Sequence, residues 1–140
     1  TITPAAGTVG PSAAFLIGFL AGLICFYATQ IIKGTFKIDD SLDVFPVHGV
    51  GGILGVIMLS LLGSPEGFLG AGASGIAEGG VLVQLKIQLL GIVVIFAWTA
   101  VTTWIILKIV TVVTGLRIDS ESEIEGLDVT SHGERGYNID

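Results

Sequence analysis

Three long apolar runs decide what this chain can become. Residues 13–32 contain no acidic or basic side chain, residues 47–62 contain only His48, and residues 87–113 contain only Lys108 near their end. A helix needs about 20 apolar residues to cross a hydrocarbon core of about 30 Å, and inside that core every backbone amide must be satisfied within the protein. The composition fits that environment: 51% hydrophobic residues, 13% charged residues and a mean hydropathy of +0.89 exclude an ordinary soluble domain. The reading is therefore all-α, a polytopic membrane protein with spans at about residues 12–33, 44–62 and 85–113. A polar tail, residues 114–140, follows.

His48 is the residue around which the second span is organised. An ionisable group within a membrane is costly, and such groups mark proton or substrate paths more often than their soluble counterparts. On an ideal helix positions 48, 52, 55 and 59 share a face, which lines Gly52 and Gly55 up with the imidazole. The histidine then looks onto open space or onto a closely packed neighbour. The bland alternative is a packing histidine, and Gly51-xxx-Gly55 suits close helix approach on that reading.

The start of this span carries its own signals. Asp43 is placed to cap free amides and to favour the positive end of the helix dipole, and Pro46 suits a first turn that lacks intrahelical donors. Asp39 and Asp40 read as solvated loop charges, because adjacent carboxylates point apart and lack further ligands for a metal. A helix starting at Asp43 puts His48 only about 8 Å along its axis. Either it begins in a vestibule below the membrane surface or it begins earlier.

Basic residues orient the spans. Lys33 and Lys37 follow the first span, Lys108 and Arg117 flank the end of the third, and Lys86 alone lies on the opposite side. The positive-inside rule puts the start of this chain outside and its tail in the cytoplasm, at the cell membrane. The net charge of −6 speaks against nucleic acid as a partner. Thr1 opens the chain with no basic, signal-like region, so an internal or C-terminal piece of a longer chain is expected, with partner helices supplied from elsewhere. Cys25, the single cysteine, permits no disulfide framework and reads as a small core side chain.

Other features are weaker. Residues 1–11 read as an external loop, with Ser12 capping the first helix, Gly18-xxx-Gly22 offering a packing face and Tyr27 near headgroup level. Gly70 to Gly75 spell GxGxxG, but no strand precedes them and no βαβ unit surrounds them, so no dinucleotide site is expected. That glycine-rich loop can partly re-enter the protein, and Glu78 reads as solvated. The third span, about 40 Å long as a helix, must tilt or project. Trp98 reads as a helix-packing residue, and Thr99, Thr102 and Thr103 can bond back to their own helix. In the tail an EF-hand is excluded: counting from Asp119, Ile124 stands where glycine is needed and Thr130 where a bidentate glutamate is needed. Leu127, Val129 and Tyr137 give the tail something to dock with, and His132 beside Glu134 reads as a surface residue. No metal, cofactor or catalytic constellation is indicated.

Two blocks of residues carry a resemblance. The stretch from Asp39 to Gly52, with Asp43-Val44-Phe45-Pro46-Val47-His48-Gly49 at its centre, resembles the second-histidine region of the ammonium transporter (Amt/MEP/Rh) family. The tail is independently similar to the cytoplasmic C-terminus of the Amt branch, through Gly115-Leu116-Arg117, Glu125-Gly126-Leu127-Asp128, Ser131-His132-Gly133-Glu134 and Tyr137. Ile2-Thr3-Pro4-Ala5-Ala6-Gly7 resembles the loop before a late helix.

The resemblance implies that these are the last three transmembrane helices of an eleven-helix inverted-repeat subunit that assembles as a homotrimer. It makes His48 the second of two histidines along a narrow hydrophobic pore, with Val44 on the lining and Asp43 as a helix cap nearby. The first histidine, the outer recruitment site and the paired phenylalanine gate belong to earlier helices, so this stretch alone is not expected to transport. Ammonium would shed water and a proton, ammonia would pass the histidines, and the proton would follow a route through them. The tail residues Gly126, Leu127, Asp128, His132, Gly133, Glu134 and Tyr137 become a regulatory element, and a PII-type nitrogen-signalling protein becomes the implied partner. Two other readings stay open: an ammonium sensor or transceptor, and a Rh-type gas channel, which the Amt-like tail disfavours.

Overall fold

The computed structural model describes residues 1–63 and 79–137, and every regular element among them is helical. The GxGxxG stretch and Glu78 lie outside the described residues. Three helical segments are long and apolar enough to cross a membrane, Pro11–Thr35, Phe45–Leu62 and Val81–Val113. The expected spans are therefore present, with bounds moved by a few residues.

The first segment begins with helix α1, Pro11–Gln30. Its cap is Gly10 and not Ser12: Gly10 is extended (ψ 172°), its carbonyl accepts the Ala14 amide at 2.9 Å, and no side chain caps the turn. Pro11 explains the shift, since a proline that lacks a donor and has φ preset for a helix takes the first position and leaves Ser12 inside the turn. α1 continues into a π-helical turn, Ile31–Thr35, closed by the Phe36 amide on the Ile31 carbonyl at 3.0 Å.

The second segment is also composite. A π-helical turn, Phe45–Val50, leads into helix α2, Gly51–Leu62. The helix thus starts no earlier than expected. The third segment is one helix, α3, Val81–Val113. It starts ahead of the expected residue 85 because the Gly80 carbonyl takes the Gln84 amide at 3.1 Å, and Gln84, only 1% exposed, belongs to the helix despite its polarity.

By contacts the chain divides into Thr1–Ile95 and Phe96–Asp140. In the first unit, Ala5, Val9, Ile17, Met58 and Leu59 are buried together, with Ala13, Ala14, Leu20, Leu54 and Leu62 packed around them. A single 3-10 turn, Thr3–Ala5, lies against α2, and the buried Thr8 hydroxyl donates to the Ala5 carbonyl at 2.7 Å. Gly51 and Gly55 make this approach possible. A Cβ on Gly51 would stand 2.6 Å from the Thr1 Oγ1 and 3.1 Å from the Cys25 Sγ, and one on Gly55 would collide with the Thr1 carbonyl. In lipid, where apolar side chains gain little by leaving the solvent, such close van der Waals approach is what holds helices together.

In the second unit the latter part of α3 ends at Gly115, whose φ of 78° suits a residue without Cβ and whose amide reaches the Val110 carbonyl at 3.2 Å. Thr102 bonds back to the Trp98 carbonyl at 2.8 Å, as expected of a threonine in a span. Lys108 lies 5.8 Å from the centre of the Trp104 ring. Two short helices follow, α4 (Ser120–Glu125) and α5 (Leu127–His132), which pack on each other.

Candidate functional site

The site is built from the first turn of the second span outward. Helix starts leave amide donors without intrahelical partners, and here each of the first four backbone positions is accounted for. The Val44 amide donates to the Asp40 Oδ1 at 2.9 Å and the Phe45 amide to the Asp40 Oδ2 at 2.8 Å. Pro46 has no donor, and the Val47 amide reaches the Asp43 carbonyl at 3.0 Å. Asp40 is therefore the capping carboxylate.

This corrects the role given to Asp43. Its carboxylate pairs instead with the Lys33 ammonium at 2.9 Å, tying the start of this span to the π-turn that ends the first. The reason is conformational: Asp43 has φ 54°, a left-handed turn that swings its side chain off the helix end and brings Asp40 onto it. The sequence alone suggests a solvated loop charge for Asp40, and the structure makes it the cap. The amides of Phe45 and Val44, and more weakly the Lys33 charge, hold its carboxyl below the ordinary aspartate value. No sequence signal separates it from Asp39.

The π-turn also changes which residues share a face. It inserts an extra residue relative to α winding, so His48, Gly52, Gly55 and Leu59 do not form the single stripe that an ideal helix predicts. Gly55 and Leu59 are buried against the first span and the N-terminal turn, whereas His48 is exposed and Gly52 has no atom within 4 Å of where a Cβ would stand. Pro46 is fully buried, and Gly49 is covered by the Phe45 ring, 3.0 Å from its would-be Cβ. Val44, 51% exposed, stands at the mouth of the turn. Among the described residues His48 makes no hydrogen bond. A neutral imidazole offers one donor and one acceptor, enough to take and pass hydrogen bonds with an amine.

The tail residues separate into two kinds. Gly126 (φ 101°) and Gly133 (φ 65°) stand at the two ends of α5 in backbone conformations that side chains resist. At the second end the Glu134 amide bonds the Asp128 carbonyl at 2.8 Å and the Gly133 amide bonds the Val129 carbonyl at 3.1 Å, a Schellman-type stop. Leu127, His132 and Tyr137 are exposed, Tyr137 by 85%. The sequence reading missed Asp119, whose carboxylate caps α4 by accepting the Ser122 amide at 2.8 Å and the Ser122 hydroxyl at 2.9 Å. Those two donors lower its proton affinity. The signal was present in an Asp-Ser-Glu start, which suits a helix N-terminus.

Three helices long and apolar enough to cross a membrane, with no strand among the described residues, define a polytopic helical membrane protein. The chain belongs to the ammonium transporter family: the profile of the Ammonium Transporter Family matches residues 1–137. It is 41% identical to an ammonium transporter of Corynebacterium glutamicum over 99% of this chain and 30% of that protein. It is 39% identical to an ammonium transporter of Bacillus subtilis over 97% of this chain and 33% of that protein. A putative ammonium transporter of Methanothermobacter thermautotrophicus is 37% identical over 99% of this chain and 34% of that protein. The chain thus spans about a third of the length of the curated relatives it matches.

Proposed function

We propose that this segment supplies the second pore histidine, and the regulatory tail, of a transporter that moves ammonium or ammonia across the cell membrane. The observation that carries the reading is His48: exposed, without a hydrogen bond among the described residues, and set in a span that has no other ionisable side chain. Val44 stands one turn before it on the proposed path. A bare ammonium ion in an apolar pore would lose several kcal/mol or more of hydration, whereas neutral ammonia can exchange hydrogen bonds with imidazole. On this reading ammonium is deprotonated at the pore mouth, neutral ammonia passes along the histidines, and the proton follows a separate route through them.

On this reading the three spans complete an eleven-helix subunit of a homotrimer, with the start of this chain outside and the tail in the cytoplasm. The distribution of Lys33, Lys37, Lys108 and Arg117 supports that orientation. The tail, with Leu127, His132 and Tyr137 exposed beside the fixed turns at Gly126 and Gly133, docks on cytoplasmic loops and offers a face to a PII-type nitrogen-signalling protein. The test is uptake of labelled methylammonium by cells lacking other ammonium transporters and expressing the whole transporter. Saturable uptake that ammonium competes away is expected, and its absence from cells holding the assembled protein would overturn the reading.

A further inference from the structure

We propose that Asp40 is a positioning residue for His48: by holding the amides of Val44 and Phe45, its carboxylate fixes the π-turn from which the imidazole projects. The uptake arm of the test rests on the ammonium reading above. The spectroscopic arm does not.

A π-turn is a less favoured winding than the α-helix and persists where its surroundings over-determine it. Here the surroundings are visible. Two oxygens of one carboxylate hold two consecutive amides at 2.9 and 2.8 Å, which fixes the rotation of the first turn as one water-bonded amide could not. Pro46, fully buried, has no donor with which to start an α-type bond. Asp43, in a left-handed conformation and paired with Lys33 at 2.9 Å, turns the backbone so that Asp40 reaches the amides. His48 lies inside the turn thus held, Phe45–Val50, while α2 beyond it is anchored by the buried Gly51 and Gly55.

The geometry has a directional consequence. Relaxing the π-turn to α winding while α2 stays anchored would rotate the side chains before Gly51 about the helix axis, by more the further they lie from Gly51. His48 would then turn toward the buried face of Gly55 and Leu59, the stripe that α winding predicts. The Asp40 carboxylate bonds the amides of Val44 and Phe45 and not the imidazole, so its effect on His48 runs through the turn.

The experiment uses the whole transporter, as Asp40→Ala and Asp40→Asn, reconstituted with nitrogen-15-labelled histidine. The His48 ring signals are assigned by their loss in His48→Ala. In Asp40→Ala the His48 ring signals should shift, and Vmax for methylammonium should fall about tenfold with KM changed by less than about twofold, the scale of losing a helix cap. Asparagine offers one acceptor where aspartate offers two, so Asp40→Asn should lie between the two. An assembled Asp40→Ala protein with native His48 signals and native Vmax overturns the proposal. If Asp40→Ala does not assemble, native His48 signals in Asp40→Asn overturn it equally. Should the unaltered transporter carry no methylammonium, the ammonium reading fails and the ring signals alone decide the role of Asp40.

Discussion

The two sides of the His48 span use the same residue type for opposite ends. On the closed side, Gly51 and Gly55 are buried and leave room for Thr1, Pro4 and Cys25 to come against the backbone. On the open side, Gly52 is adjacent in sequence and meets nothing within 4 Å. Glycine permits close approach in the first case and leaves a space beside a histidine in the second. Composition alone cannot tell these roles apart; what stands against each glycine does.

The largest effect should come from filling the closed side. Gly55→Leu forces a side chain into the Thr1 carbonyl, a backbone atom that cannot swing aside, and should destabilise the packed spans on the order of 3 kcal/mol. Thermal unfolding of the detergent-solubilised transporter would register it as a clear fall in midpoint. An unchanged midpoint would mean that the N-terminal turn does not pack there in the whole protein.

Gly52→Leu sharpens the contrast. It should leave the unfolding midpoint within a few degrees of native while lowering methylammonium uptake by about tenfold or more, because it fills the space beside His48. If instead the subunit fails to assemble, the open side is a helix contact and not a path.

Smaller effects belong to the tail. Gly133→Ala places a Cβ in a left-handed position at the stop of α5 and should cost about 1 kcal/mol locally. Faster amide exchange confined to residues 127–134 would report it, with the spans unaffected.

The smallest effect is the pH response of α4. Asp119 has its proton affinity lowered by the Ser122 amide and hydroxyl, so its contribution is fully present above the unfolded aspartate value and is lost as pH falls through the lower folded value. Exchange protection of α4 should therefore be flat at neutral pH and decline only in acid, below the ordinary aspartate range. Asp119→Asn should remove that acid step, and a decline near neutrality would contradict the assignment.

These contrasts also mark how far the sequence could be read. The three spans follow from charge-free length, the role of Pro46 from its missing donor, and the packing of Gly51 with Gly55 from their spacing. His48 was singled out because nothing else between residues 47 and 62 can ionise. The stripe joining it to Gly55 was not correct, because heptad-like counting assumes α winding and the π-turn breaks it. Asp40 was passed over because its role depends on the left-handed turn at Asp43 and on Lys33 from another segment. Neither is a local property of Asp40. The caps of the tail, by contrast, are local, and Asp119 was readable from its immediate neighbours.

The central claim is that His48 lies on the conduction path. Its most direct test is methylammonium uptake by the whole transporter with and without His48→Ala, with assembly and expression matched. Uptake that collapses, or that changes its selectivity between ammonium and its competitors while the protein stays assembled, is the predicted result. Native uptake and selectivity in the assembled variant would make His48 a packing residue and would contradict the account.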